Sequence, residues 1–171
     1  RKFTESRVYP YGLYKAAWAH YNLRDTSAGL KKLEEVVAYG RFVTENKIEA
    51  RLDLRKEALG DMTVFYEDVY PAKDAYSYFK KQASELDVGP IILKLAKLYE
   101  HHSRHQDRQV ALDDFIQNLP DSPHIAEIHG QLIWNFDAMK RKDLAVKQME
   151  NLFALCRDNS SWLRAQRRLN A

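Results

Sequence analysis

The chain of 171 residues sets 27 Lys and Arg against 24 Asp and Glu, and this net charge of +3 is scattered along it, which argues against a nucleic-acid surface. Its 12% aromatic content is more apolar surface than a disordered linker leaves in water, and no apolar run approaches the roughly 18 residues that a membrane span needs. Glycine (6) and proline (5) are scarce, so the composition favours helix over strand.

Apolar residues recur at spacings of three and four almost throughout, without sustained two-residue alternation, so strands are not expected. The segment Tyr9 to Leu23 carries Leu13, Ala16, Ala17 and His20 on one face and Tyr11, Tyr14, Trp18 and Tyr21 on another. Arg24 to Ser27 interrupts this pattern with a side chain able to cap the next helix. That second helix is expected from about Ser27 to Tyr39, with Leu30, Leu33, Val36 and Val37 inward and Gly40 as its stop. A third covers about Leu52 to Tyr70, and Pro71 opens its partner, which carries Ala75, Tyr78, Phe79 and Ala83.

Gly89-Pro90 is a clear break. After it come a fifth helix (Ile92, Leu95, Ala96, Tyr99) and a sixth (Val110, Leu112, Phe115, Ile116), which Pro120 and Pro123 end. A seventh from about His124 to Met139 holds Ile125, Ile128, Leu132, Ile133 and Phe136 inward. An eighth from Lys142 to Leu155 holds Ala145, Met149, Leu152 and Phe153 inward, and Ser160-Ser161-Trp162 starts one more short helix.

The helices come in pairs, and each pair repeats a pattern. A small residue and, three positions later, an aromatic mark the first helix; a small residue and a bulky apolar one four further on mark the second. The first pair gives Ala17, His20, Gly29, Leu33 and Val36; the second gives Thr63, Tyr66, Ala75 and Phe79. The third gives Ala96, Tyr99, Arg108, Leu112 and Pro120, with Arg108 where a small residue is expected. The fourth gives Ile133, Phe136, Ala145, Met149 and Leu152. On these residues the chain resembles the tetratricopeptide repeat (TPR) family over nearly its whole length.

The resemblance implies an all-α fold: an α-solenoid of about four antiparallel helix pairs, at 9–39, 52–85, 90–118 and 124–156, with an extra helix at 160–170, in one repeat domain. The first and second pairs are separated by about a dozen extra residues around Arg41 to Arg51, which are expected to lengthen a helix or add a turn. Because the chain opens on Arg1, it is expected to be a segment of a longer protein. The opening helix is loosely similar to those of repeat scaffolds of bacterial cell envelopes.

The resemblance further implies a non-catalytic scaffold that binds a protein or peptide partner in its concave groove, or else a substrate-positioning domain of a larger enzyme. The face expected to bind comprises Tyr11, Tyr14, Trp18, Tyr21 and Asn22, then Val64 and Glu67, then Lys97 and His101, then Trp134 and Asp137. These take equivalent first-helix positions in the four pairs.

Other chemistry is thinly represented. His101, His102 and His105 form a cluster in which His101 and His105 share a helical face, yet no His-Glu-x-x-His motif or third ligand accompanies them. They are expected to be a polar helix end rather than a metal site. The single cysteine, Cys156, forbids an intrachain disulfide and is expected to be a small core residue. With no phosphate loop, dinucleotide fingerprint or nucleophile elbow, no catalytic residue and no cofactor is assigned.

Overall fold

In a computed structural model of the chain, the structure describes residues 8–48 and 52–169. Among these residues it is all-helical: nine α-helices, one 3-10 turn and no strand. The helices are α1 (Tyr9–Asn22), α2 (Thr26–Glu45), α3 (Arg55–Val69), α4 (Ala75–Ala83), α5 (Gly89–His101), α6 (His105–Asn118), α7 (Ile125–Ala138), α8 (Lys142–Leu155) and α9 (Ser161–Leu169). The described residues divide into two compact units, those of Arg1–Pro71 with Ser77–Asp87 and those of Ala72–Tyr76 with Val88–Ala171.

In the first unit α2 packs between α1 and α3. Its inward residues Leu30, Leu33, Val36 and Val37 are buried, as are Ala17 of α1 and Ala58, Leu59, Met62, Phe65 and Tyr66 of α3. Gly29 sets the approach of α1 to α2: a Cβ there would stand 2.6 Å from Phe65 Cε1 and 2.9 Å from the Ala17 carbonyl oxygen. Only glycine fits without movement.

Three helix ends differ from the sequence reading. α2 does not stop at Gly40 but runs on to Glu45, so the residues after Tyr39 do lengthen a helix; 49–51 lie outside the described residues. Gly40 is there for clearance, because a Cβ at that position would collide with the Arg55 side chain. α3 starts at Arg55 rather than Leu52, where the Asp53 carboxylate accepts from the Arg55 backbone N–H at 3.0 Å. The buried Arg55 guanidinium also pairs with Asp53 at 3.0 Å and with Glu85 at 2.5 Å. After Pro71 a 3-10 turn (Ala72–Asp74) intervenes before α4, so the proline does not itself open the helix.

In the second unit each of α5 to α9 packs on the next, and the 3-10 turn packs on α6. Ile92, Leu95, Ala96, Tyr99, Leu112, Phe115, Ile128 and Leu132 are fully buried. Between α6 and α7 the contact is partly polar: His105 Nδ1 lies 3.1 Å from Asn135 Oδ1, and Arg108 Nη2 donates to Gln131 Oε1 at 3.3 Å. α9 is pinned through its polar atoms, with Trp162 Nε1 donating to the Ser122 carbonyl at 2.8 Å and Gln166 Nε2 to the Asp121 carbonyl at 2.9 Å.

One turn occurs three times. Leu23-Arg24-Asp25, His102-Ser103-Arg104 and Met139-Lys140-Arg141 join α1 to α2, α5 to α6 and α7 to α8. The middle residue is left-handed each time, with φ of 62°, 56° and 60°. The third residue takes φ/ψ of −98°/65°, −86°/59° and −96°/67°. Its N–H donates to the carbonyl of His20, Tyr99 and Phe136 at 2.9, 2.7 and 2.8 Å, closing the Schellman bond that satisfies an orphan carbonyl at a helix end. Its own carbonyl accepts from Gly29, Arg108 and Ala145, each at 3.0 Å. The aromatic and small positions read from the sequence therefore fall on the same atoms of the same turn in all three hairpins.

Arg108 occupies a close-packing position because its charge is answered. It is 3% exposed, and Nη1 reaches Glu100 at 3.2 Å while Nη2 reaches Gln131. Burial lowers its pKa, and the Glu100 carboxylate opposes that shift.

Candidate functional site

The aromatic stripe of α1 splits by environment. Tyr11 is 48% exposed, with the Lys15 ammonium 5.1 Å from its ring centroid, and Asn22 is exposed. Tyr14 is half-buried and donates its hydroxyl hydrogen to the Asp61 carboxylate on α3. Burial first, and that carboxylate second, push its pKa up. Trp18 and Tyr21 are half-buried as well, with ring centroids 5.2 and 5.0 Å from that of Phe65 and 5.5 Å from each other. On α3, Val64 is half-buried and Glu67 is buried.

The second unit's share of the expected face is open. Lys97 and His101 on α5 and Trp134 and Asp137 on α7 are all exposed, Trp134 to 71%. The His101 and His102 rings lie 5.3 Å apart, and His105 is engaged with Asn135. Among the described residues, no three His, Cys, Asp or Glu side chains gather as a metal site would require. No helix among them is long and apolar enough to cross a membrane.

The largest departure from the sequence reading lies on α8. Met149 and Phe153, expected inward, are exposed to 43% and 73%, and Val146, one turn before Met149, to 53%. Cys156, expected in the core, is exposed too. A signal for this was present. At about 100° per residue, the apolar positions 144, 145, 146, 149, 152, 153, 155 and 156 spread over roughly 200° of helix, about twice the arc one neighbouring helix covers. α7 takes one half of that arc through Ala145, and Gln148 also faces it, 2.7 Å from His129 Nδ1.

The other half borders two apolar hollows. One, of about 370 Å³, is lined by Trp134 and Asp137 of α7 and by Lys142, Ala145, Val146 and Met149 of α8. A second, of about 390 Å³, is lined by Met149, Leu152, Phe153 and Cys156. This surface is mainly apolar, with the exposed thiol of Cys156 beside Phe153.

Compared with known proteins, the chain matches no family model, no curated protein and no solved structure.

Proposed function

We propose that this chain is a non-catalytic, TPR-like helical-repeat scaffold, an α-solenoid that binds a partner polypeptide. The thrice-repeated hairpin carries the reading. In each copy two helices are joined by one three-residue turn, with an aromatic or histidine at the last bond of the first helix and a close-packed residue at the first bond of the second. Repeat units of this kind cannot bury their apolar faces singly.

The proposed binding residues are those of the first helices. Tyr11, Tyr14, Trp18, Tyr21 and Asn22 with Val64 and Glu67 serve in the first unit, and Lys97, His101, Trp134 and Asp137 in the second. The exposed aromatics supply contact area, and Lys97 and Asp137 orient the partner by charge. Glu67 is the buried member of this set.

A quantitative pull-down from the native cells tests this, with the chain as bait against a Tyr11→Ala, Asn22→Ala, Trp134→Ala variant. The proposal expects a defined partner that the variant loses while its helical circular dichroism is unchanged. A catch identical for both baits would overturn it.

A further inference from the structure

We propose that the outward face of α9 docks an acidic segment of the partner polypeptide through Arg164, Arg167 and Arg168. This rests on the scaffold reading and adds a contact on α9 together with the chemistry of what binds there. Both signs of charge are scattered along the chain, but the excess is not. Residues 157–168 hold four arginines, one aspartate and no lysine or glutamate, a net +3 that equals the charge of the whole chain. Taking them out of the 27 basic and 24 acidic residues leaves 23 of each.

The other side of α9 is tied down. Trp162 Nε1 and Gln166 Nε2 donate to the Ser122 and Asp121 carbonyls at 2.8 and 2.9 Å, and Gln166 is buried. At about 100° per residue, Trp162 and Gln166 stand roughly 160° to either side of Arg164, whereas Arg167 and Arg168 lie within about 60° of it. The three arginines therefore point away from the body, and all are exposed. Ser160 Oγ accepts the Leu163 N–H at 3.0 Å, which caps the helix that presents them. Two acids adjoin α9. Asp121 meets its tied side through the carbonyl, and Asp158 pairs with Arg167 at 3.0 Å, their side chains 94% and 63% exposed. An ion pair so exposed is weak, so an incoming carboxylate can take the place of Asp158. Guanidinium forks hold carboxylates through paired hydrogen bonds, and three of them within about 6 Å of helix rise match a short run of Asp or Glu. The charge-balanced remainder adds no net attraction for a nucleic acid or an anionic membrane, whose phosphates extend well beyond three side chains.

The test titrates the chain into a fluorescein-labelled peptide of alternating glutamate and glycine, beside one with glutamines for glutamates, and follows anisotropy. The glutamate peptide is expected to bind more tightly by about tenfold or better, with affinity falling as salt rises. Arg164→Gln with Arg168→Gln should weaken it by about tenfold while the helical circular dichroism is unchanged. Lys80→Gln with Lys81→Gln, which removes the same charge from exposed positions on α4, should leave it within about twofold. Equal binding of the two peptides, no binding, or equal loss in the two double variants would overturn the proposal. So would tighter binding of a single-stranded oligonucleotide, or of anionic lipid vesicles, than of the glutamate peptide. Should the native partner be lost with the Tyr11→Ala, Asn22→Ala, Trp134→Ala variant but kept with Arg164→Gln, Arg168→Gln, the scaffold reading stands and this inference alone fails.

Discussion

Trp18 meets Phe65 edge to face, with ring centroids 5.2 Å apart and planes inclined by 67°, so a residue of the expected binding stripe also ties α1 to α3. Such a pair contributes beyond the area it buries, and a half-buried tryptophan loses less on truncation than a core one. Trp18→Ala should therefore lower stability by about 2 kcal/mol in urea unfolding with an unchanged m value, and Trp18→Phe should recover most of it. A midpoint unaffected by the alanine would mean that the ring contributes nothing to the fold.

Gly29→Ala should destabilise by about 1–3 kcal/mol, because the added methyl meets the Ala17 carbonyl, a backbone atom unable to turn aside. Gly12 provides the contrast. With nothing within 4 Å of its Cβ direction, Gly12→Ala should stabilise by about 0.5–1 kcal/mol through helix propensity alone. Thermal or urea unfolding of the two variants should give opposite signs.

The left-handed residues of the three matching turns, Arg24, Ser103 and Lys140, all carry a Cβ that this conformation disfavours. Replacing each by glycine should stabilise the chain by about 0.5–1 kcal/mol, because the strain removed exceeds the entropy glycine adds to the unfolded chain. The three values should agree closely if the turns are physically equivalent. A glycine that destabilises at one of them would separate that hairpin from the others.

Asp113 has its pKa raised by burial, against the opposing effects of the Gln109 bond and the charge of His129. A carboxyl whose folded pKa lies above its unfolded value costs stability when ionised. The cost is present above the folded pKa and disappears as pH falls below the ordinary value of 3.8. Asp113→Asn should accordingly raise the melting temperature at pH 7, with an advantage that shrinks steadily toward acid. An advantage constant with pH would assign the effect to packing instead.

Much of the helical organisation was legible because the turns are local. Asp25 receives the Ala28 N–H at 3.1 Å, and Gly89-Pro90 stands at the head of α5. The misread boundaries have non-local causes. Gly40 has the residue type of a helix stop, but Arg55, fifteen positions on, is what demands its small size. The stripe of α1 was legible as a stripe; that Phe65 and Asp61 of α3 would engage part of it depends on packing no helical periodicity encodes. On α8 Met149 and Phe153 read as core because their spacing matches that of Ala145 and Leu152; that a single neighbour, α7, shares the arc depends on packing outside the helix.

Partner binding through the first-helix faces is tested most directly by site-specific photocrosslinking in the native cells. A benzophenone amino acid would be placed in turn at the exposed Tyr11 and Trp134 and, as a control, at the exposed Lys31 of α2, a helix outside the proposed face. The account predicts one discrete crosslinked partner from positions 11 and 134 and none from position 31. Equal crosslinking at all three positions, or none at 11 and 134, would contradict it.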